Sequence, residues 1–330
     1  MLFEMSIERN PCKIDLRNTM NKIHNIKARM ARIHNRNRGN LLRGLTRESL
    51  AKLCQNPFAR KVITSVVPVR KPEKWLFVVG CYNSGTTILR RLIESHPSIG
   101  AMPVEGCTVT SAFPDLEVGG WGRMMFANKH LWQMDQDSGT DAANMAMHDW
   151  SLWWPRNATV FFEKSIDHTV RMEWLDRHFP NSYFISITRH GMCVCEGIAR
   201  RAKISGQALD TYPNGYSPDL LADQWTAISD VIDASGPKVK NYLPIYYEQL
   251  MSEPVETLNS IFEFLDIKKD KIEYTDGILS MGKTTHKLVD GNPSSLARID
   301  QEIHDTLYSR MHRTMTRHGY SSSSPARSSE

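Results

Sequence analysis

The segment Gly80-Cys-Tyr-Asn-Ser-Gly85-Thr86-Thr87 constrains the fold of this chain more than any other. It follows residues 75–79, a continuously apolar run that is typical of a buried parallel strand. After it, apolar side chains recur at helical spacing through residues 88–93. A glycine-rich turn at the start of a helix presents backbone N–H groups and the positive end of the helix dipole, both of which favour an anion. The sequence therefore predicts a phosphate-binding loop between a strand and a helix.

The loop lacks the lysine that nucleotide triphosphatases carry. Thr86 occupies that position, and the loss of this charge argues against a triphosphate with its Mg²⁺. Ser84, Thr86 and Thr87 add hydroxyl donors, and Gly85 allows a ligand to approach the backbone closely. A ligand with fewer phosphates fits this pattern better. A glycine turn in an unrelated α/β protein is the alternative interpretation.

The rest of the chain alternates predicted strands with predicted helices, which indicates a parallel sheet with helices on both faces. The predicted fold class is α/β: a P-loop-type three-layer fold with a central parallel sheet and an N-terminal helical extension. Further strands are expected at 159–162, 183–188 and 239–247, and further helices at 167–178, 193–203, 219–234, 254–265 and 294–318. The predicted domains are a basic helical extension and linker over 1–73, the core over 74–320 and a disordered tail over 321–330.

The charge of the chain is unevenly distributed. The net charge is +5, but residues 16–47 hold nine Lys or Arg and no acid, so the remainder is mildly acidic. Such a basic arm could bind nucleic acid, anionic lipid or an acidic partner, or it could form a solvated helical face or a helix that docks on the body of the protein. We favour the last two interpretations and expect no nucleic-acid partner.

The sequence contains few signals for membrane insertion, secretion, disulfide bonds or metal binding. In 330 residues no apolar run reaches the length of a membrane-spanning helix, and the first residues lack the apolar core of a secretory signal. The six cysteines form no CxxC pair, which argues against a zinc ribbon and favours free thiols. We expect a cytoplasmic protein that binds no metal. The sequence leaves its oligomeric state open, with a homodimer among the options.

Four segments resemble sulfotransferases, the enzymes that use 3′-phosphoadenosine 5′-phosphosulfate. Residues 78–99, VVGCYNSGTTILRRLIESHPSI, resemble the loop of that family that binds the 5′-phosphosulfate. Residues 161–180 are similar to its lysine-bearing segment, 184–201 to its 3′-phosphate-binding strand and helix, and 246–265 to its tyrosine–acid–x–leucine segment. The layout is closest to the branch of tyrosylprotein and Golgi-type carbohydrate enzymes and their bacterial relatives. The resemblance implies that the donor is contacted by Asn83, Ser84, Gly85, Thr86 and Thr87.

The resemblance also implies transfer of a sulfuryl group from that donor to an acceptor hydroxyl by in-line displacement. Glu105 is the expected base for the acceptor proton, with Glu163 and then His96 as alternatives. Lys164, which follows the predicted strand at 159–162, is the expected cation that stabilises the transition state. A carbohydrate or another small hydroxyl compound is the first expectation for the acceptor, and a protein tyrosine is the second.

The nucleotide contacts follow from the same resemblance. Arg189 and Arg201 match arginines that hold the 3′-phosphate, where a guanidinium fork suits bidentate contact. Tyr247 matches a tyrosine near the adenine. Two positions depart from the family pattern: Asn83 replaces a Lys or Arg that contacts the phosphosulfate, and Gly197 replaces a serine that contacts the 3′-phosphate. The first departure removes a charge from the donor site.

Two regions are difficult to interpret. The segment SMGKTTHK at 280–287 is polar and basic, and the resemblance indicates that Ser280, Lys283 and Lys287 close over the donor. Residues 100–158 are rich in Trp and Met, and their tryptophans could form a core or stack on the rings of an acceptor. The acceptor pocket is expected in this region, so the sequence does not identify the acceptor.

Two other functions remain open. One is a P-loop phosphotransferase such as a small-molecule kinase, although Thr86 and the lack of a convincing strand-end Asp for Mg²⁺ argue against it. The other is a non-catalytic nucleotide-binding protein that uses the basic arm, whose binding would depend strongly on salt.

Overall fold

The computed structural model describes residues 41–134, 139–155 and 158–321, so most of the predicted basic arm and nearly all of the predicted tail lie outside the described residues. Its central sheet has five parallel strands: β1 Lys74–Gly80, β2 Ile99–Ala101, β3 Val160–Glu163, β4 Ser182–Thr188 and β5 Tyr242–Tyr246. Their order across the sheet is β2-β3-β1-β4-β5. The predicted α/β class, with a central parallel sheet and flanking helices, is confirmed.

Strand β1 lies in the middle of the sheet because both of its faces are apolar. Trp75, Phe77 and Val79 pack into the core on one face, whereas Leu76 and Val78 pack into the core on the other. All five side chains are buried. A strand that contributes alternately to two cores is what a three-layer arrangement requires.

Helices cover both faces of the sheet. Two of them, α1 Leu41–Cys54 and α2 Pro57–Thr64, precede β1. The helices that follow are α3 Thr86–Ile93, α4 Gly139–Ser151, α5 Met172–His178, α6 Gly191–Arg201, α7 Gly206–Thr211, α8 Pro218–Ser235, α9 Tyr247–Ser252, α10 Pro254–Phe264, α11 Asn292–Leu296 and α12 Gln301–Arg317. Short 3₁₀ segments are Gly106–Val109, Met125–Leu131, Ile166–Arg171 and Gly236–Lys238. None of the described helices is long and apolar enough to cross a membrane.

Two predicted helices differ from the observed ones. The helix expected at 167–178 begins as a 3₁₀ segment, and α5 occupies only its second half. The helix expected at 294–318 is divided into α11 and α12. The division occurs because the Asp300 side chain accepts a hydrogen bond from the Ile303 N–H at 2.9 Å, which caps a new helix.

A small antiparallel sheet, absent from the sequence prediction, lies after α10. Its strands are β6 Ile272–Thr275, β7 Ile278–Met281 and β8 Thr284–Lys287. Asp276 and Gly277 form the first turn with positive φ angles of 52° and 75°, as a two-residue hairpin with a primed turn requires. An Asp-Gly pair is the sequence signal that indicates such a hairpin.

The Trp-rich region over 100–158 contributes to the core. Trp150, Trp153 and Trp154 are buried on one face of the sheet, so their rings are not free to stack on an acceptor.

The Gly-Gly-Trp-Gly run at 119–122 pairs with the chain after α6, where the Ser205 N–H donates to Gly120 O at 3.1 Å. A Cβ at Gly120 would lie 1.9 Å from Ser205 O, so this close approach requires glycine.

Candidate active site

The carboxyl ends of the parallel strands bring the predicted site residues to one edge of the sheet. Strand β1 ends at Gly80 and leads into the loop, β3 leads into Lys164, β4 into Arg189 and β5 into Tyr247. In open α/β sheets this edge is where ligands bind. A cavity of about 930 Å³ lies there, a volume within the range of small-molecule and cofactor sites.

Most of the predicted site residues line this cavity: Asn83, Gly85, Thr86, Thr87, Glu105, Lys164, Arg189, Arg201 and Tyr247. Ser84 does not, because it is buried and its hydroxyl donates to Cys81 O at 2.7 Å, a bond that stabilises the loop. Ser280 and Lys283 are not brought to the cavity either. The small sheet presents the end of β8 to the site, so that Lys287 lines the cavity while Ser280 lies in β7 and Lys283 in the turn.

Gly85 joins the loop to helix α3. It is the N-cap of that helix, with a φ of 104° and no side-chain capping bond. The first N–H groups of α3 are thereby left to bind an anion. A Cβ at Gly85 would lie 2.6 Å from Tyr247 Cδ2. Glycine is therefore required at position 85 for two reasons. Its φ lies in the left-handed region, and the Tyr247 ring leaves no room for a Cβ.

Glu105 and Lys164 form an ion pair in the wall of the cavity. The Lys164 side chain is buried, at 5% exposure, whereas the Glu105 side chain is 38% exposed. The carboxylate is therefore accessible from the cavity, and the ammonium is held beside it. This pair places a proton acceptor and a cation next to each other, close to the loop.

The alternative bases lie away from the cavity. Glu163 is buried, and its carboxylate accepts from Ser165 Oγ at 2.6 Å and lies 2.8 Å from His168 Nε2. Burial by itself would raise the pKa of Glu163, but the charge of His168 and the hydrogen bonds lower that pKa below its ordinary value. His96 packs on Phe262, with 4.7 Å between the ring centroids. Neither Glu163 nor His96 lines the cavity.

Arg189 is held by three contacts. Its Nη1 donates to Asn83 O at 2.9 Å, and its Nε donates to Asn292 Oδ1 at 2.7 Å. The guanidinium lies 4.3 Å from the centroid of the Tyr247 ring, a cation–π distance. The Tyr247 hydroxyl in turn accepts from the Gly291 N–H at 2.8 Å. Tyr247 therefore supports Arg189 and the loop together.

A carboxylate behind Arg189 organises this part of the site. Glu248 Oε1 accepts from Asn292 Nδ2 at 2.7 Å and from the His190 N–H at 3.1 Å. Glu248 Oε2 accepts from the Tyr320 hydroxyl at 2.8 Å. Asn292 is fully buried and links Glu248 to Arg189. Sequence reasoning missed Asn292 because no motif marks it.

Two arginines meet at the Asn83 side chain. Asn83 Oδ1 accepts from Arg201 Nη1 at 3.0 Å and from Arg123 Nη1 at 3.4 Å. Arg123 comes from the region that the sequence left without interpretation, and the glycines of 119–122 are the signal of tight chain packing there. Other charged residues in the lining that sequence reasoning missed are Arg91, Glu117 and Lys203.

A model of the sulfotransferase family matches residues 75–271, more than half of the chain. The chain belongs to the sulfotransferase family. The match begins in β1 and includes the loop, Glu105, Lys164, Arg189 and Tyr247, so the resemblance stated from the sequence is confirmed. The match ends just before the small sheet begins, and the small sheet and α11 supply Lys287 and Asn292 to the site.

Curated relatives of this sulfotransferase are protein-tyrosine sulfotransferases. Protein-tyrosine sulfotransferase 2 of Gallus gallus is 26% identical over 248 residues, which cover 70% of this chain and 59% of the relative. Protein-tyrosine sulfotransferase A of Caenorhabditis elegans is 25% identical over 218 residues, which cover 61% of this chain and 52% of the relative. The matched part of the chain thus spans between 52% and 59% of the length of these relatives. Among solved structures, a sulfotransferase domain from the curacin biosynthetic pathway aligns with 16% identity and a TM-score of 0.45, over 76% of this chain and 99% of that chain.

Proposed function

We propose that this family member transfers a sulfuryl group from 3′-phosphoadenosine 5′-phosphosulfate to an acceptor hydroxyl. The observation that carries the proposal is the ion pair between Glu105 and Lys164, in the wall of a cavity that the phosphate loop also lines. The pair supplies a proton acceptor and a cation beside a set of N–H groups that bind anions. Sulfuryl transfer to a hydroxyl needs these three parts together.

The lining of the cavity suits the donor nucleotide. Its cations are Arg91, Arg123, Lys164, Arg189, Arg201, Lys203 and Lys287, and its acids are Glu105 and Glu117. Positive charge is thus in excess, as phosphate and sulfate groups require. The Asn83 Nδ2 amide is buried and has no hydrogen-bond partner among the described residues. Such a donor costs free energy that an oxygen of a bound ligand would offset.

The chain's own residues then have defined tasks. The donor supplies an activated sulfuryl group on its 5′-phosphate. Glu105 accepts the proton of the acceptor hydroxyl as the acceptor oxygen forms its bond to sulfur. The bond between sulfur and the phosphate oxygen breaks, and its electron pair stays on the phosphate, so the products are a sulfate ester and 3′-phosphoadenosine 5′-phosphate. Lys164 and the loop N–H groups stabilise this charge, and Arg189 and Arg201 hold the 3′-phosphate.

The acceptor is a hydroxyl compound of one of two classes. The names of the curated relatives support a protein tyrosine, whereas the sequence-based expectation places a carbohydrate or another small hydroxyl compound first. The proposal covers both classes, and a screen of acceptors decides between them. The cytoplasmic location, the homodimer and the domain boundaries near residues 73 and 320 stay predictions of the sequence.

Nucleotide binding and group transfer are tested in sequence. 3′-Phosphoadenosine 5′-phosphate should raise the unfolding temperature, and ATP with Mg²⁺ should not. Transfer is then followed with radiolabelled donor and with tyrosine-containing peptides, carbohydrates and small phenols as acceptors. Stabilisation by ATP with Mg²⁺ alone would support a phosphotransferase instead. Nucleotide binding without label transfer to any acceptor or to water would support a non-catalytic nucleotide-binding protein.

A further inference from the structure

Arg123 is held in place both at its backbone and at its guanidinium. Its φ of 62° lies in the left-handed region, where a residue other than glycine is uncommon. Its N–H donates to Glu117 Oε1 at 3.0 Å, and its guanidinium donates to Asn83 Oδ1 at 3.4 Å. The backbone before Arg123 passes close to Lys203, and only glycine fits at position 122, because a Cβ there would lie 2.3 Å from Lys203 O. The chain thus maintains a sparsely populated conformation that directs this arginine to the phosphate loop.

The carboxylate of Glu117 contacts Arg123 only at its backbone N–H. Among the residues that the structure describes, no acid forms an ion pair with the Arg123 guanidinium. Across Asn83 Oδ1 its neighbour is Arg201, a second cation. Burial lowers the pKa of Arg201 most, and the charges of Arg200 and Arg123 lower it further. Two guanidiniums therefore share one neutral oxygen and repel each other, an arrangement that a bound anion would stabilise.

Contacts with Tyr82 show which part of the cavity Arg123 occupies. The Arg123 guanidinium carbon lies 6.0 Å from the centroid of the Tyr82 ring, and the Tyr82 hydroxyl donates to Asp167 Oδ1 at 3.3 Å. Burial raises the pKa of Tyr82 most, and nearby acids that include Glu105 raise it further. Tyr82 precedes Asn83 in the phosphate loop, so these contacts place the Arg123 guanidinium beside the loop. Arg123 and Glu105 line the same cavity. Arg189 contacts the Asn83 backbone oxygen, whereas Arg123 contacts the Asn83 side chain.

We propose that Arg123 is a further catalytic residue, which binds the phosphosulfate end of the donor together with the Asn83 amide. This proposal rests on the proposed function. When the bond between sulfur and the phosphate oxygen breaks, its electron pair stays on the 5′-phosphate. The Arg123 guanidinium stabilises that charge, and Asn83 Nδ2 gains the acceptor that it lacks among the described residues. A segment remote in sequence thereby supplies the positive charge that the loop does not carry at Asn83.

Two variants test this role without disturbing the backbone. Arg123→Gly suits a φ of 62° and removes only the side chain, whereas Arg123→Lys keeps the charge. Turnover is measured as release of 3′-phosphoadenosine 5′-phosphate from the donor, with a tyrosine peptide and with water as acceptors. Affinity for 3′-phosphoadenosine 5′-phosphate, which lacks the sulfuryl group, is measured by calorimetry. Arg313→Gln, at an exposed position of α12, is the control.

We expect Arg123→Gly to lower turnover about 100-fold and to change affinity for the desulfated nucleotide by less than about threefold. Arg123→Lys should retain more turnover than Arg123→Gly, and millimolar guanidinium should restore part of the turnover of the glycine variant. Unchanged turnover in Arg123→Gly would overturn the proposal. An equal loss of turnover and of nucleotide affinity would also overturn it, because Arg123 would then hold the 3′-phosphate. If the unmodified protein binds no such nucleotide, the proposed function itself fails.

Discussion

Gly197 of α6 packs so closely against Asn83 of the phosphate loop that a Cβ at position 197 would lie 2.9 Å from the Asn83 Cβ. A contact this short between two carbon atoms forces one of them to move. The resemblance drawn from the sequence marks these same two positions as departures from the family pattern. The structure places them in direct contact, so a side chain at position 197 would act on the loop through Asn83.

Gly197→Ser tests this coupling. The new side chain should displace Asn83 and disturb its bond to Arg201, so we expect turnover to fall about tenfold. Serine has a higher helix propensity than glycine, so a lower unfolding temperature would report the steric conflict. Ala199→Ser, at an exposed position of the same helix, is the control. Equal activity of the two variants would show that the loop adapts to a side chain at position 197.

Glu105→Gln tests the assignment of the base. The amide cannot accept the proton of the acceptor, so we expect turnover to fall about 100-fold or more. The unfolding temperature and the affinity for 3′-phosphoadenosine 5′-phosphate should change little, because the amide oxygen of Gln can still accept a hydrogen bond from the buried Lys164 ammonium. Turnover, calorimetry and thermal unfolding measure the three quantities. Glu302→Gln, at an exposed position of α12, is the control. A fully active Glu105→Gln would remove Glu105 as the base.

Asn292→Ala tests the support of Arg189. Without the buried amide, Arg189 Nε loses its acceptor, and the guanidinium is no longer held in one orientation. We expect the Kd for 3′-phosphoadenosine 5′-phosphate to rise about tenfold, as for a lost hydrogen bond to a charged group. Adenosine 5′-phosphosulfate has no 3′-phosphate, and its affinity should stay nearly constant. Ser294→Ala, at an exposed position of α11, is the control. Equal weakening of both nucleotides would contradict a specific role toward the 3′-phosphate.

Glu196→Gln tests a pH-dependent link between α6 and the segment after α11. Glu196 Oε1 accepts from Arg298 Nε at 2.6 Å and from Arg200 Nε at 2.7 Å. Burial opposes ionisation, but these hydrogen bonds lower the pKa of Glu196 to about 2. A carboxylate with a lowered pKa stabilises the folded state above its unfolded pKa, and this contribution is lost as pH falls through the folded pKa.

The variant should therefore lose free energy of unfolding at neutral pH, on the order of 1 kcal/mol because both arginines are partly exposed to solvent. The difference from the unmodified protein should shrink as pH falls from about 5 toward 3. Urea denaturation at several pH values measures it. Glu263→Gln, in an exposed pair with Lys269, is the control and should change the free energy of unfolding little. A difference that stays constant with pH would contradict the assignment.

The sequence predicts the central part of the site because short stretches of neighbouring residues identify each element that forms it. An apolar run, a glycine turn and helical spacing identify β1, the loop and α3. Lys164, Arg189 and Tyr247 each follow a strand directly, and a parallel sheet brings the carboxyl ends of its strands to one edge. Their placement therefore needs only the order of the strands.

Arg123 and Asn292 could not be placed from the sequence, because long-range pairing sets their positions. Arg123 lies in a segment that is held in place by the pairing of Gly120 with Ser205. Asn292 reaches Arg189 through contacts of a short helix that follows an unpredicted sheet. No periodicity reports such pairings. The turn at Asp276-Gly277 is the one local signal that sequence reasoning overlooked in this region.

The Tyr320 hydroxyl completes the support of Arg189 through Glu248 and Asn292. The ribosome synthesises β1 and the loop before this tyrosine. A nascent chain can therefore have its sheet in place while Arg189 still lacks part of its support. If Arg189 holds the nucleotide as proposed, we expect firm retention of the nucleotide only after α12 and Tyr320 have been synthesised and packed against Glu248.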